Sequence, residues 1–256
     1  MKRFLAFICM AILLISMLPA CVSTADGFTV EPVQPTDAER VIRGYSTSSK
    51  SYVYMNFGSY PFNANGSKEP CLWRVLHVED GFAFLLEEWV VDFFRFHPVK
   101  KDQDAWKDYE IYTTMNTTMV DKMFTAEEKR AVRYTADLGW LFILDNNEFM
   151  TPEYGFKKIL TKPYAERKCP PTPYAKSLGV GYIDKNKMTW YWSRSCRHTA
   201  AGGYEHIIGY DGHISMHAFD QVGGVRPACY VDLTQLDHVT GSGTLKDPYV
   251  FQVVNP

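Results

Sequence analysis

The sequence lacks the common local signatures of catalysis. None of the G-x-S-x-G, H-E-x-x-H, P-loop or dinucleotide-binding patterns occurs, which argues against the enzyme classes that depend on them. C-x-x-C spacing is also missing, so neither a zinc knuckle nor a thioredoxin-type redox motif is expected. The acids Asp137, Asp145 and Glu148 are too scattered along the chain to define a glycosidase pair. We therefore predict no catalytic residue, no cofactor and no metal.

The chain has no excess of basic residues. Its 27 Lys and Arg against 29 Asp and Glu give a formal net charge of -2. Nucleic-acid-binding domains usually carry a basic patch or have a high isoelectric point, so we expect no nucleic-acid partner. Aromatic residues are abundant at 15%, and such side chains serve either a core or a contact surface.

Residues 1–25 resemble a secretory signal peptide. They combine a basic start, an apolar run from Phe4 to about Leu18, and small residues before Asp26. This run is too short to favour a membrane span, which needs about 20 apolar residues. Two processing routes fit, namely cleavage after Ala25 or lipidation of Cys21 within "LPAC", and a retained anchor is the third alternative. We expect a secreted or cell-surface protein without a transmembrane span in the mature chain, or a lipoprotein anchored at Cys21.

Four cysteines remain in the expected mature chain, Cys71, Cys169, Cys196 and Cys229. In an exported protein four cysteines usually form two disulfides. Three pairings are possible, and the sequence does not choose among them.

The pattern of the chain predicts an α+β fold with antiparallel sheets. Residues 26–49 are interpreted as a flexible linker, and residues 50–256 as a single domain with a long Pro-rich loop and an extra strand at the C-terminal end. A tight turn is expected at Asp80-Gly81, and the capping box Thr125 to Glu128 predicts a helix running to about Tyr134. The remaining predicted segments are strands at 51–57, 71–79, 81–88, 139–145, 188–196, 205–219 and 223–233, a helix at 113–120 and the Pro-rich loop at 151–187.

Five short motifs resemble the DUF6273 family of bacterial extracellular proteins. They occur in the family's order over residues 52–233 and are "NFGSYPF" (56–62), "LWRVL" (72–76), "LFILDNNE" (141–148), "WSRS" (192–195) and "GGVRPA" (223–228). The resemblance implies an extracellular location, and the late "WSRS" and "GVRP" strands imply a C-type-lectin-like core, like that of formylglycine-generating enzymes. It also gives a structural role to the motif residues Trp73, Trp192, Arg194, Ser195, Gly224, Arg226 and Pro227. It implies no activity, because the family's function is not established.

The stretch "TWYWSRSC" (189–196) places large side chains at every second position. In a strand alternate residues share a face, so Trp190, Trp192, Arg194 and Cys196 are expected together. Two interpretations stand. This face either packs inward, with Arg194 paired and Cys196 in a disulfide, or presents an aromatic platform for a sugar ring.

A second candidate site lies on the hairpin of residues 205–219. If Asp211-Gly212 is a two-residue turn, His206 faces His217, and the other side of the ribbon carries the apolar core residues. The outer side then collects the candidate ligand-binding residues His206, Tyr210, His213 and His217. Solvated surface histidines, a pH-sensitive or ligand-contacting patch, and a metal shared by His206 and His217 are the alternatives.

These features favour an exported binding module whose ligand is a glycan or a protein. An enzyme of the cysteine- or metal-dependent kind on the same fold is one alternative, and it predicts free thiols at Cys196 or Cys229. A structural domain of a surface assembly, without ligand affinity, is the other.

Overall fold

The fold is α+β, as the sequence predicted, with two open β-sheets and a few short helices. The computed structural model describes residues 35–99, 105–183, 185, 187–199, 202–218 and 220–254. The expected signal peptide and residues 26–34 of the expected linker lie outside this part of the chain. No helix among the described residues is long and apolar enough to cross a membrane.

Thirteen strands are described. They are β1 (Val53–Pro61), β2 (Lys68–Glu79), β3 (Phe82–Glu87), β4 (Asp92–Arg95), β5 (Tyr182–Ile183), β6 (Met188–Thr189), β7 (Tyr191–Thr199), β8 (Gly202–Ile208), β9 (Ile214–Ala218), β10 (Val222–Val225), β11 (Ala228–Asp232), β12 (Leu236–Thr240) and β13 (Tyr249–Val253).

The larger sheet has six strands in the order β11-β3-β2-β1-β13-β12. The predicted Asp-Gly turn joins β2 to β3, where Glu79 pairs with Phe82 and both Asp80 and Gly81 have positive φ. This is the backbone that a two-residue hairpin of matching twist requires. Most pairings are antiparallel, but the C-terminal strand β13 runs parallel to β1.

The smaller sheet has five strands in the order β4-β10-β7-β8-β9. The chain passes between the two sheets twice, once from β3 to β4 and once from β10 to β11. The second passage divides the segment predicted as one strand at 223–233, because Arg226 and Pro227 leave the ladder. Proline donates no backbone hydrogen bond, so it suits such a break.

Two hydrophobic clusters fill the described unit. One contains Trp73 and Trp192, and the other contains Phe142 and Tyr191. The segment 141–144 contributes to both, since its residues alternate between the clusters. The segment 139–145, predicted as a strand, is therefore buried on both sides at 141–144, but it forms isolated bridges, Gly139 with Thr135 and Phe142 with Ala228, in place of a strand.

Five short α-helices are described: α1 (Asp37–Val41), α2 (Glu110–Thr114), α3 (Val120–Met123), α4 (Ala126–Ala131) and α5 (Pro173–Ser177). A π-helical segment, Met115–Met119, joins α2 to α3. The predicted capping box starts α4, in which the Thr125 hydroxyl accepts from the Glu128 amide at 3.1 Å. The helix ends at Ala131, three residues earlier than predicted.

Helix α1 lies within the segment that was interpreted as a linker. A capping box of Thr36 and Glu39 starts it, and Ala38 and Ile42 are fully buried in the core. Residues 35–49 thus belong to the folded unit, because burial of these two side chains stabilises an otherwise polar segment.

Candidate functional site

The predicted tryptophan face is largely buried. Trp192 has no exposed surface, and its indole N–H donates to the Phe94 carbonyl at 3.0 Å. Trp190 is half-buried, and its ring lies nearly parallel to that of His217 with a centroid distance of 4.7 Å. Trp192 is therefore a core residue, and one face of Trp190 is already covered by His217.

A bulge removes Arg194 from the face of the two tryptophans. Strand β7 pairs Trp192 with Ile207 and Cys196 with Glu205, so three residues of β7 lie opposite His206 alone. Such an insertion breaks the alternation of side chains along a strand. The prediction that Arg194 shares a face with Trp190 and Trp192 is thus wrong.

The bulge, Ser193 to Ser195, instead binds the segment 144–148. The Asn146 amide N–H donates to Ser195 Oγ at 2.9 Å, and Ser193 Oγ donates to Asn146 Oδ1 at 3.1 Å. The Asn146 side chain also lies 2.7 Å from Nδ1 of His206. The segments "LFILDNNE" and "WSRS" are therefore held together by hydrogen bonds.

Arg194 pairs with two acids of the same segment. Its Nη1 lies 3.0 Å from Asp145 Oδ2, and its Nη2 lies 2.7 Å from Glu148 Oε1. The other oxygen of Glu148 accepts from the Asp145 amide at 2.8 Å. Burial raises the pKa of Glu148 to about 7, against the lowering by Arg194. Both Glu148 oxygens thus have a partner, so this carboxyl group connects the bulge of β7 to the segment 144–148.

A cleft of about 340 Å³ adjoins this cluster. Asp137 and Asp145, two of the acids considered in the sequence, both line it. Lys107 and Arg194 line it as well, so the charges of the cleft balance.

The histidine ribbon has a different register from the predicted one. Strand β8 pairs His206 with Met216 and Glu205 with His217. His206 and His217 therefore project from opposite faces. The expected two-residue turn is a five-residue loop, 209–213, because Gly212 packs against Tyr164 and its carbonyl accepts from Arg167 Nε at 2.7 Å.

This register separates the candidate ligand-binding residues. His213 hydrogen-bonds to Asp211 within the loop, while Tyr210 is exposed. Met216, predicted on the core side, is 41% exposed. Ile207, also predicted on the core side, is buried, but so is Ile208, which the two-residue turn places on the outer side. The physical basis for a histidine and tyrosine patch, or for a metal between His206 and His217, is thereby lost.

Arg226 occupies the passage between the sheets. It is buried, its Nε donates to the Glu87 carbonyl at 2.7 Å, and its Nη1 donates to the Tyr191 hydroxyl at 3.2 Å. The neighbouring Pro227 carbonyl accepts from the Glu87 amide at 2.9 Å. At Gly224 a Cβ would lie 2.5 Å from the Trp190 carbonyl oxygen, so only glycine fits. The "GGVRPA" motif therefore joins the two sheets.

Cys71, Cys169 and Cys229 are buried free thiols, and the Cys196 side chain lies outside the described part. The predicted framework of two disulfides is thus not found among these three residues. Cys71 and Cys229 lie on β2 and β11, which are separated by β3. Strands two positions apart are about 9–10 Å from each other, beyond the Cα separation of a disulfide. Burial raises the pKa of the Cys169 thiol to about 12, and those of Cys71 and Cys229 well above their usual value.

A larger cleft, of about 540 Å³, lies where the Pro-rich loop meets the start of β1. We call it the lysine cleft. Tyr45 and Tyr52 form one wall with ring centroids 4.6 Å apart. Three exposed lysines, Lys50, Lys157 and Lys158, also line it, whereas Glu166 is its one acid.

Contacts with neighbouring buried and half-buried residues hold the tyrosine wall in place. The Arg74 guanidinium lies 4.5 Å from the Tyr52 ring centroid, and its Nη1 donates to the Glu166 carbonyl at 2.9 Å. Glu88 neutralises Arg74 through contacts of 2.5 and 2.8 Å. Burial raises the pKa of Tyr52 to about 12, so its hydroxyl stays protonated and donates to the Tyr154 carbonyl at 3.1 Å. The wall is therefore uncharged and preorganised, and the lysines supply the net charge.

A further cleft, of about 360 Å³, lies farther along β1. We call it the tryptophan cleft. Trp89 and Phe62 meet edge to face with centroids 5.5 Å apart, and Asn56 adds an amide. Leu245 and Pro248 of the C-terminal tail also line it.

Sequence reasoning did not identify these clefts. Tyr45 lies in the segment interpreted as a linker, and Lys50 follows that segment directly. Lys157 and Lys158 lie in the Pro-rich loop. The adjacent lysines were the only local signal, and their proximity to Tyr45 depends on contacts more than 100 residues apart in sequence.

Among the described residues, no group of three or more His, Cys, Asp or Glu side chains could hold a metal ion. Comparison of the chain with protein-family models, curated proteins and solved structures gave no match.

Proposed function

We propose that this chain is an exported binding module that recognises an anionic saccharide, carboxylated or phosphorylated, in the lysine cleft. The observation that carries the proposal is the combination of the Tyr45 and Tyr52 rings with three lysines around one cleft. Tyrosine faces pack against the apolar face of a sugar ring, and a local excess of cations attracts an anionic group.

The buried network behind the cleft favours binding over catalysis. Tyr52 is restrained by Arg74, by Tyr154 and by contact with Gly155, at which a Cβ would lie 2.0 Å from the tyrosine hydroxyl. A preorganised wall lowers the entropy cost of binding. The secretory N-terminus and the DUF6273 resemblance, with its C-type-lectin-like core, support export and form part of the same proposal.

The test is calorimetric titration with trigalacturonic acid, with glucose 6-phosphate, and with uncharged maltotriose. We expect at least one of the two anionic probes to bind and maltotriose not to bind. The double variant Lys157→Ala/Lys158→Ala should weaken binding about tenfold, since each exposed ion pair contributes about 0.5–1 kcal/mol. Tyr45→Ala should also weaken it about tenfold through lost ring contact.

A matched control is available in Lys122→Ala/Arg130→Ala. Both residues are exposed, neither lines the lysine cleft, and the change in net charge is the same. This control should bind like the wild type. Equal loss in both double variants, or tight binding of maltotriose, would contradict the proposed site.

A further inference from the structure

The lysine cleft and the tryptophan cleft lie on one face of the larger sheet. Tyr52, Tyr54 and Asn56 alternate along the chain and therefore project to the same side. Tyr52 lines the first cleft and Asn56 the second. The opposite face carries Met55, which is buried in the core.

The neighbouring strand continues this face between the two clefts. Tyr54 pairs with Arg74 and Asn56 pairs with Leu72, so Arg74 and Leu72 lie beside the three β1 side chains. Arg74 backs the lysine cleft, and Leu72 lines the tryptophan cleft. Half-buried Tyr54 thus lies between the clefts.

The C-terminal tail forms the outer wall of this face. The Tyr54 amide donates to the Gly243 carbonyl at 2.9 Å, which fixes the tail against β1. Leu245 and Pro248 then stand beside Asn56, and Leu245 is 52% exposed. The tail therefore bounds the second cleft without covering it.

We infer that the two clefts are subsites of one groove along β1, and that the ligand is an anionic polysaccharide rather than a single sugar. Asn56 lies four residues after Tyr52, which in an extended chain corresponds to about 13 Å. This distance exceeds one pyranose ring, so only a chain of sugars reaches both subsites. The inference rests on the proposed function, because it extends the ligand of the lysine cleft.

The two subsites offer different kinds of contact to the ligand. The lysine cleft supplies charge, whereas the tryptophan cleft supplies the aromatic surface of Trp89 and Phe62 with the Asn56 amide and one acid, Glu69. Such a surface suits the ring and hydroxyl groups of a sugar unit more than its anionic group.

The experiment compares digalacturonate with hexagalacturonate. We expect the wild type to bind the hexamer at least tenfold more tightly than the dimer. Trp89→Ala should reduce hexamer affinity to near that of the dimer and leave dimer affinity unchanged. Equal wild-type affinities for the two lengths, or a Trp89→Ala effect on both or on neither, would overturn the single groove.

Two substitutions of opposite charge at exposed Leu245 give a second test that does not depend on whether Trp89→Ala folds. Leu245→Glu should weaken hexamer binding by roughly threefold and Leu245→Lys should strengthen it similarly, with dimer binding unchanged in both. No effect of either charge on the hexamer would contradict the groove. Loss of the proposed function has a different signature, since trigalacturonic acid, glucose 6-phosphate, the dimer and the hexamer would then all fail to bind the wild type.

Discussion

At the scale of single residues, Glu87 is the most unusual ionisable group of the described core. Its side chain is 1% exposed, and its Oε2 has no hydrogen-bond partner among the described residues. Burial, reinforced by the nearby charge of Glu88, raises its pKa well above the ordinary value, and the Leu72 amide lowers it only in part. The fold therefore favours the protonated form of Glu87, because an ion would be costly at this buried position.

The raised pKa predicts how stability varies with pH. Above its unfolded pKa, near 4.3, Glu87 releases a proton on unfolding, so its contribution to stability is lost as pH rises toward the folded pKa. This contribution falls by about 1.4 kcal/mol per pH unit. Glu87→Gln stays neutral and should avoid that fall. In urea unfolding at pH 5, 6 and 7, the free energy of unfolding of the variant should therefore rise relative to that of the wild type by about 1.4 kcal/mol per pH unit.

Glu166→Gln is the control, because it makes the same chemical change at a half-buried position at the surface. Its free energy of unfolding should follow the wild type across the same range. A constant difference between Glu87→Gln and the wild type from pH 5 to 7 would show that Glu87 is ionised in the fold.

At the scale of elements, the Pro-rich loop is organised by one arginine. Arg167 is fully buried and donates to five backbone carbonyls, those of Phe149, Lys157, Ile159, Lys162 and Gly212. A guanidinium offers five N–H groups in a planar fork, whereas an ammonium offers three from one point. Arg167 thus shapes the backbone that presents Lys157 and Lys158.

We expect Arg167→Lys to lower the free energy of unfolding by about 3 kcal/mol. Lysine offers fewer hydrogen-bond donors than arginine, so some of the buried carbonyls lose their partners. Each carbonyl left without a partner costs about 1–3 kcal/mol. Chemical denaturation measures the loss, and limited proteolysis should cut the variant within residues 157–166 first. Arg133→Lys, at an exposed position, is the matched control and should change stability by less than about 0.5 kcal/mol. Equal stability of both variants would contradict the role of Arg167.

The same arginine explains where sequence reasoning succeeded and where it did not. The Asp80-Gly81 turn and the Thr125 capping box were predictable, because their hydrogen bonds lie within a few residues of chain. Asp211-Gly212 has the same local signal, but its loop is shaped by Arg167 and Tyr164. Helix α1 did carry a readable signal, the Thr36 to Glu39 capping box, within a segment judged by composition alone.

At the scale of the whole molecule, the two sheets meet through contacts that no local pattern reveals. The acids of "LFILDNNE" and the bulge of "WSRS" are about 50 residues apart in sequence, yet Arg194 joins them. Both motifs were recognised, but the bulge that turns Arg194 toward Glu148 depends on the pairing of β7 with β8. The clefts likewise combine residues that lie more than 90 residues apart in sequence, so their composition could not be predicted from local spacing.

The buried thiols provide a test of this assembly. Cys71 and Cys229 belong to the core cluster around Trp73, and Cys169 belongs to the cluster around Tyr191. Alkylation of a cysteine requires the thiolate form and access of the reagent to the sulfur. Burial disfavours the thiolate of all three residues and blocks the reagent. We expect iodoacetamide to leave these three cysteines unmodified in the native protein and to modify all of them within minutes in 6 M guanidinium chloride.

Intact mass and peptide mapping, with alkylation before any reduction, read out this prediction. Because each cluster spans several strands, protection should be lost in a single cooperative transition for all three residues. The midpoint should coincide with that of tryptophan fluorescence, since Trp73 and Trp192 belong to the same core. If unfolding without reductant left any of the three unmodified, that cysteine would be in a disulfide, which would contradict the three free thiols. A bond between Cys71 and Cys229 would in addition require a different spacing of β2 and β11.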